Sequence, residues 1–568
     1  MIKLILKILP HKAKKRLVKT LVLSFFSSGL ELLSLSLIIP IIYIVINPNN
    51  ELILRINEYF NLNNFLNVNT YYLLIGLLIL IFIIKTIYLS FFINYQLIFK
   101  RNLRSNLAQL LFSKYLRLQY LESSKKSFAE MQKNIDSETL RFSELVISYT
   151  MFLNEVIMGL TIILFLFFFN FNVTLILTII FLFIFLILYF SLEKKFKKWG
   201  VKGQESFKNY NDTIIQSFNN LREIKLQGRE NNFIKDFSSE NKLKNFYEYN
   251  HRLFSVLPRY YIELLAILLI FLILFIMMRN NLNTDYVLAT IGLYAYASVR
   301  LLPIMNKLLN LIGYIKYYSY SANLILNEIN QLDKNFQINN RKHIEEINID
   351  SIELKDISFA YDSKHILKNL SVKLEKGQVI GISGPSGSGK STLLDILTSL
   401  IIPDSGKILI NKKEFDPKKY FWGEKISYIS QSTDLFNRSI SYNISFGKKQ
   451  LDIDKKKMEF ALNSSNLTNF IKNLPQGINT IVGEKGSFIS TGQKQRINIA
   501  RAFYNNVKVL ILDESTNSLD FENEKNIFSD INKIKSNLIV IIVSHNKNLL
   551  ENYCDQIYHL NDFNLHKL

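Results

Sequence analysis

Residues 378–397 read QVIGISGPSGSGKSTLLDIL, and this stretch decides the fold of the second half of the chain. The apolar run VIGIS predicts a buried strand, which leads into a glycine-rich loop with the spacing G-x-x-x-x-G-K-S and then into a predicted helix. Glycines at this spacing let backbone N–H groups close round a phosphate, and the helix amino terminus adds its positive dipole. Lys390 is placed to neutralise β- and γ-phosphate oxygens, and the Ser391 hydroxyl is placed to bind Mg²⁺. The loop residues predicted to bind the nucleotide are Gly384, Ser386, Gly387, Ser388, Gly389, Lys390, Ser391 and Thr392.

Further segments with matching chemistry follow in a fixed order. The apolar strand VLILDE ends at Asp513, the expected partner of Mg²⁺, and Glu514 is placed to orient or deprotonate an attacking water. ISTGQKQRINIARAF precedes this strand, STNSLD follows it, and the later strand NLIVIIVSH ends at His545. Earlier, SYISQSTDLF presents Gln431 at the end of another strand. Any one of these could be an ordinary polar loop residue, but the ordered set predicts a nucleoside triphosphatase.

Residues 350–568 resemble the ABC ATPases throughout. The resemblance implies that Tyr361 stacks on adenine, that Gln431 joins Mg²⁺ and water to the membrane domain, and that His545 is the switch histidine. The implied signature loop, which closes over the γ-phosphate bound by the opposite subunit, contains Ser490, Gly492 and Gln493, and Asp520 is the implied D-loop residue. The implied catalytic residues are Glu514, His545 and Gln431, and the implied metal ligands are Ser391, Gln431 and Asp513. The resemblance also implies ATP, Mg²⁺ and a dimer, either of identical chains or with a different partner chain.

The signature loop departs from the family pattern at one position. It is usually L-S-G-G-Q, whereas this chain has Ile489, Ser490, Thr491, Gly492 and Gln493. Thr491 places a β-branched side chain where the backbone is expected to approach phosphate, so we expect slower closure or a weakened site there. Hydrolysis is still predicted, because Lys390, Asp513, Glu514 and His545 are all present.

The composition of the chain predicts a membrane protein with a separate soluble domain. Its 568 residues are too many for one compact core, 49% of them are hydrophobic, and the net charge is +21. The apolar runs lie in the first part of the chain with Lys and Arg on their flanks, which favours membrane lipid over nucleic acid as the partner. The single cysteine, Cys554, excludes an intrachain disulfide and argues against a thiolate metal site.

Six apolar stretches are long enough to cross a bilayer. They are residues 20–46, 71–98, 144–169, 172–192, 255–278 and 285–312. The connections 99–143 and 193–254 are rich in Lys and Arg, whereas the other connections have at most one such residue each. This alternation predicts that both termini are cytoplasmic. The domain order resembles the bacterial exporter and flippase type, which implies a protein of the bacterial inner membrane.

The sequence therefore predicts a multidomain chain, with an all-α six-span membrane domain followed by an α/β P-loop ABC ATPase domain. The predicted domains are an amphipathic N-terminal segment at 1–19, the membrane domain with two long cytoplasmic loops at 20–325, a linker at 326–349 and the nucleotide-binding domain at 350–568. The two loops are expected either to continue the spanning helices into the cytosol or to press on the ATPase with their tips, and both can hold.

The membrane half resembles the bacterial flippases of lipid-linked oligosaccharides. The resemblance rests on SGLELLSLSLIIPIIYIV, PRYYIELLAILL and ASVRLLPIMNK. It implies an anionic polyprenyl-diphosphate glycan as cargo, with Lys85, Arg259 and Arg300 at cavity positions that meet the diphosphate. The segment ELILRINEYFNLNNFL is expected to form a short helix on the outer leaflet or an ordinary connection.

Other interpretations of the same residues stay open. Charges within the spans can pair between helices instead of binding cargo. An ABC exporter of a peptide, a drug or another lipid is the alternative function. An ATP-gated regulator or channel is disfavoured by the presence of Glu514 and His545.

Overall fold

The computed structural model describes most of the chain. The described residues are 2–46, 70–264, 267–268, 271, 284–336, 342–343, 348–430, 434–514, 525, 528–529, 531–532 and 535–568. They divide into two compact units, the first of residues 1–116 and 126–334 and the second of residues 117–125 and 335–568. The predicted outer-leaflet segment lies outside the described residues.

The first unit is helical. Its elements are α1 (Ile2–Ile8), α2 (His11–Ile46), α3 (Thr70–Leu116), α5 (Phe128–Lys133), a π-helical turn (Asn134–Glu138), α6 (Thr139–Phe169), α7 (Phe171–Asn219), α8 (Leu221–Gln227), α9 (Glu230–Val256) and α10 (Thr284–Phe336), while α4 (Tyr120–Ser124) falls in the second unit. Residues 258–264 are helical again after α9.

Long apolar helices agree with the first four predicted spans. Among the described residues, four helical stretches are long and apolar enough to cross a membrane: His11–Leu37, Ile75–Leu116, Phe128–Phe169 and Phe171–Asn219. The sixth predicted span lies within α10, whereas a large part of the fifth, including residues 272–278, falls outside the described residues. The basic connections contain helices that extend well beyond the apolar stretches, such as α7, and this agrees with spanning helices that continue past the bilayer.

Two apolar cores hold this unit together. Leu35, Ile162 and Leu293 join α2, α6 and α10 in one of them. In the other, α1 contributes Ile5, which packs with Phe142 of α6 and with residues of α3 and α10. The N-terminal segment is therefore packed onto the helices, and α10 continues through the first part of the predicted linker.

The second unit contains the strands of the predicted nucleotide-binding domain. Its strands are β1 (Lys342–His343), β2 (Ser351–Tyr361), β3 (Lys364–Glu375), β4 (Val379–Ser383), β5 (Ser405–Ile410), β6 (Lys413–Phe415), β7 (Tyr420–Phe421), β8 (Ile426–Ile429), β9 (Val509–Asp513), β10 (Ile539–Val543), β11 (Gln556–Asn561) and β12 (Asn564–Lys567). Its helices after α10 are α11 (Lys390–Leu397), α12 (Ile440–Ile444), α13 (Lys455–Ser464), α14 (Thr468–Lys472), α15 (Thr491–Tyr504) and α16 (Lys547–Tyr553).

The order of the strands places the predicted site residues together. One sheet has the order β12-β11-β4-β10-β9-β8, in which β11, β4, β10, β9 and β8 are parallel, and a second sheet of four antiparallel strands has the order β3-β2-β5-β6. Every residue of β4 and β10 is buried, as expected for parallel strands covered on both faces. Since β4, β9 and β10 are neighbours, the loops after their carboxyl ends meet at one edge, where α/β proteins bind ligands.

Candidate functional site

The phosphate-binding loop connects the buried strand β4 to α11. Gly387 and Gly389 have φ of 81° and 102°, in the left-handed region that favours glycine. At Gly389 a Cβ would lie 2.7 Å from the Ile366 side chain, so the loop is also packed too tightly there for a larger residue. The first turn of α11 then begins directly at Lys390.

Lys390 is held inside this loop. Its Nζ donates to the carbonyl oxygens of Gly384 at 2.8 Å and Pro385 at 3.0 Å, and it lies 3.5 Å from Nε2 of His545. Burial lowers the pKa of Lys390, while the nearby carboxylates of Glu514 and Asp513 oppose that shift. The loop therefore fixes a cation at the position where phosphate oxygens are expected.

The two adjacent strand ends supply the predicted acid–base residues. Oε1 of Glu514 lies 2.9 Å from Nε2 of His545, so the two side chains form a direct pair. Glu514 has a φ of 49°, and its N–H donates to the carbonyl of Val543 at 2.9 Å, which ties the end of β9 to β10. This bond holds the carboxylate in a backbone conformation that is uncommon for a non-glycine residue.

These residues line one cavity of about 370 Å³. Its lining comprises Ile366, Ser386, Gly387, Gly389, Lys390, Ser391, Thr392, Asp513, Glu514 and His545. The structure thus brings together nine residues that the sequence analysis assigned to nucleotide, metal or catalysis. Gln431 and Asp520 lie outside the described residues, and their assignments stay predictions.

The cavity has the donors that a magnesium ion needs. Ser391 and Asp513 both face it, and they offer a hydroxyl and a carboxylate oxygen. Mg²⁺ in nucleotide enzymes is held by one or two such groups together with substrate phosphates, not by a full protein cage. Among the described residues no group of three or more His, Cys, Asp or Glu could hold a metal ion.

Two side chains near the cavity were missed by the sequence analysis. Tyr428 of β8 donates a hydrogen bond from its OH to Oδ2 of Asp513 at 2.5 Å. Asp395 of α11 is half-buried, and burial together with Asp513 raises its pKa to about 6. The contact between Tyr428 and Asp513 depends on β8 lying beside β9 in the sheet, and the sequence contains no signal for that neighbourhood.

A short segment from the membrane half belongs to the ATPase unit. Residues 117–125, which include α4, group with the second unit, and Leu121 packs against its main apolar core. Burial raises the pKa of Tyr120, as do the nearby Asp395 and Tyr361. The predicted adenine-stacking residue, Tyr361, ends β2, is 38% exposed and packs edge-on against Phe359. Residues 117–125 therefore pack as part of the second unit.

The signature loop begins α15. Ser490 caps this helix: its Oγ accepts from the N–H of Gln493 at 3.3 Å, and its own N–H donates to Oε1 of Gln493 at 2.9 Å. Neither residue lines the phosphate cavity of its own chain. Thr491 is exposed, lies in the first helical turn and does not have a positive φ, so this backbone does not require glycine there.

Two of the three predicted cargo cations meet on one buried carboxylate. Nζ of Lys85 lies 2.5 Å from Oε2 of Glu31, and Nε of Arg300 lies 3.0 Å from Oε1 of the same residue. Glu31 and Lys85 are almost completely buried, whereas about a third of the Arg300 side chain is exposed. Arg259 does not share this cluster: it is exposed and pairs with Glu263 one turn along its own helix. Pairing between helices, the alternative interpretation, therefore holds for Lys85 and Arg300, whereas Arg259 pairs within its own helix.

Comparison with known proteins identifies the second unit. A model of the ABC transporter family matches residues 367–517, which contain the phosphate loop, the signature loop and Glu514. This match confirms the predicted ABC ATPase domain within the second unit.

Relatives extend the similarity over the membrane half of this chain. A "Putative export ATP-binding/permease protein" from Rickettsia bellii is 27% identical over 500 residues, 84% of this chain and 83% of the relative. The Escherichia coli "Alpha-hemolysin translocation ATP-binding protein HlyB" is 40% identical, but over only 36% of this chain and 29% of its own length. The chain likewise spans 31% of "ABC transporter B family member 29, chloroplastic" from Arabidopsis thaliana.

A solved structure supports the fold of the whole chain. A "bacterial Atm1-family ABC exporter with ATP bound" matches with a TM-score of 0.74 and 20% identity, covering 97% of this chain and 95% of that one. The predicted fold class, a helical membrane domain followed by an α/β ATPase domain, is confirmed.

Proposed function

We propose that this chain is one half of a dimeric, ATP-driven exporter that moves an anionic lipid-linked oligosaccharide across the bacterial inner membrane. The observation that carries the transport part is the ABC ATPase cavity in a chain that also has helices long and apolar enough to span a bilayer. The cargo part rests on the resemblance of the membrane half to oligosaccharide flippases and on the buried charge cluster around Glu31.

The residues around the cavity define the roles proposed for hydrolysis. Lys390, the first residue of α11, neutralises the β- and γ-phosphate oxygens. Glu514, held by His545 at 2.9 Å, orients the attacking water and accepts its proton. Ser391 and Asp513 would hold Mg²⁺, which supplies charge neutralisation to the phosphates when it is bound.

A dimer follows from where the signature loop lies. Ser490 and Gln493 are fixed at the start of α15 but do not line the phosphate cavity of their own chain. A second chain placed head to tail can bring its signature loop over that cavity, so each site is completed by its partner. Bound ATP then favours the closed dimer, and hydrolysis shifts the population back to the open dimer.

The charge cluster limits which cargo the membrane half can bind. Lys85 and Arg300 share one carboxylate, so the three side chains together carry a charge of about +1. An anionic diphosphate can replace Glu31 as the partner of Arg300. The Arg300 side chain is partly exposed and can form a bidentate pair with the diphosphate. Arg259, one of the three residues first predicted, is not part of this two-cation site.

Transport of labelled polyprenyl-diphosphate oligosaccharide in proteoliposomes tests the proposal. Wild-type protein is expected to flip the lipid with ATP, and Arg300→Ala is expected to abolish flipping while basal ATP hydrolysis continues. Arg259→Ala is the matched control, since it removes an exposed arginine that also pairs with a carboxylate, and it should flip normally. Normal flipping by Arg300→Ala refutes the cargo site, and stimulation of the ATPase by peptides but not by this lipid favours the alternative exporter function.

A further inference from the structure

A second cavity, of about 600 Å³, lies in the helical unit between the start of α6, α7, α9 and α10. The cavity is lined by residues within the ranges 136–144, 207, 245–252 and 314–318. These residues lie outside the predicted apolar spans or at their very ends. The proposed hydrolysis and the Glu31 cluster use none of them. The cavity therefore needs an explanation of its own.

The interior of this cavity has an unsatisfied hydrogen-bonding group. His251 of α9 is only 7% exposed, and its Nε2 has no hydrogen-bond partner among the residues that the structure describes. Burial lowers the pKa of His251 to about 4, and a hydrogen bond with the backbone of Gly313 only partly opposes this. The ring is therefore neutral at cytoplasmic pH, and an unpaired buried nitrogen is costly unless a ligand or water bonds to it.

Aromatic rings surround this histidine. Its ring centroid lies 4.3 Å from that of Tyr317 and 5.2 Å from that of Tyr314. Tyr314 in turn stacks on Tyr318 with an interplanar angle of 11°. Phe207 faces the cavity from α7 and is held by the guanidinium of Arg141 at 4.7 Å. Such rings favour a planar apolar group on the ligand.

The charged residues of the cavity fall into two sets. Asp136, Arg141 and Glu144 are each already paired, with Arg104, Glu138 and Lys100 respectively. Glu248 and Arg252 also face the cavity, and the described part of the chain gives neither of them an ion-pair partner. They are four residues apart on α9, so their side chains leave the same face of the helix at neighbouring turns. An exposed acid and base at this spacing complement a ligand that carries both charges.

We propose that this cavity binds a short zwitterionic peptide that carries an aromatic side chain. Arg252 receives the carboxylate, Glu248 receives the ammonium group, and the tyrosines receive the aromatic ring, while a peptide N–H donates to Nε2 of His251. The cavity volume is ample for two or three residues. This proposal is independent of the cargo proposed above, because the two sites share no residue. One site is proposed to bind an anionic diphosphate and the other a zwitterionic peptide.

Tryptophan fluorescence of the full-length protein tests this site directly. The chain has two tryptophans, and Trp199 packs 5.9 Å from Phe196, which itself packs 5.3 Å from His251. Titration with Ala-Phe-Ala is expected to give a saturable change that disappears in Trp199→Phe. The C-terminal amide and the N-acetyl form of the same peptide should each bind about tenfold more weakly, since each loses one charge pair.

Matched variants show whether Arg252 is the residue that recognises the carboxylate. Arg252→Gln is expected to weaken binding of Ala-Phe-Ala about tenfold and to leave binding of its amide unchanged. Lys242→Gln, which removes an exposed cation from the same helix, should bind like wild type. The absence of a saturable signal, equal binding of the three peptides, or equal affinities in the two variants would each overturn the proposal. Thermal unfolding of each variant without peptide checks that it is folded.

Discussion

Removal of Glu31 is the perturbation for which the structure gives the clearest expectation. Its carboxylate neutralises Lys85 at 2.5 Å and Arg300 at 3.0 Å, and its side chain is 1% exposed. Glu31→Ala leaves both cations without this partner. Of the two, Lys85 is the more affected, because only 6% of its side chain is exposed.

The size of the effect follows from these exposures. Breaking a buried ion pair by removing one partner costs about 3–5 kcal/mol, because the remaining charge stays buried. Lys85 should contribute most of this cost, whereas Arg300, with about a third of its side chain exposed, can regain water and contributes less. Glu31→Gln should cost less than Glu31→Ala, because the amide oxygen still accepts a hydrogen bond from a cation.

Unfolding of the purified protein in one detergent measures this cost. Glu31→Ala is expected to lose about 3–5 kcal/mol of unfolding free energy, and Glu31→Leu combined with Lys85→Met and Arg300→Met should recover most of it. Ser24→Ala is the control, because it changes a buried residue on the same helix without changing a charge. If Glu31→Ala unfolds within about 0.5 kcal/mol of wild type, the inferred ion-pair cluster is refuted.

Three further changes are predicted. Thr491→Gly should raise the ATPase rate a few-fold, because the side chain lies where the backbone is expected to approach phosphate, and it should cost less than about 1 kcal/mol of stability; an unchanged or lower rate contradicts this. Tyr428→Phe should raise the Mg²⁺ concentration for half-maximal hydrolysis about fivefold, because it removes about 1 kcal/mol of hydrogen bonding to Asp513; an unchanged magnesium titration contradicts it. Gly200→Val should destabilise the helical unit by about 1–3 kcal/mol, because its Cβ would lie 2.5 Å from the Tyr317 carbonyl oxygen. Thermal unfolding checks this last change against Gly29→Ala, whose added Cβ meets nothing within 4 Å, and equal stability of the two variants contradicts it.

The ATPase site could be predicted from sequence because its chemistry is local. Each predicted residue lies at the end of an apolar strand or in the loop or helix start that follows it. Parallel strands bring their carboxyl ends to one edge of the sheet whatever the exact register. Lys390, Asp513, Glu514 and His545 therefore meet as expected. Tyr428 was missed, because its contact with Asp513 depends on which strands are neighbours in the sheet, and the apolar runs do not specify that order.

Contacts between distant helices could not be predicted in the same way. The sequence shows cations within the spans, but not that Glu31 lies between Lys85 and Arg300 or that Arg259 pairs locally. The pairing depends on helix rotation, which the uniformly apolar spans leave undetermined. The cavity around His251 was missed for the same reason, since its lining comes from four helices that are far apart in sequence.

The central claim, that Glu514 drives ATP hydrolysis in this chain, is tested most directly by the hydrolysis rate of Glu514→Gln in proteoliposomes. The change keeps the shape of the side chain and removes its ability to accept a proton. We predict that the variant binds Mg²⁺-ATP like wild type but hydrolyses it at least about 100-fold more slowly, the usual contribution of a general base. Hydrolysis at the wild-type rate by Glu514→Gln would contradict the account.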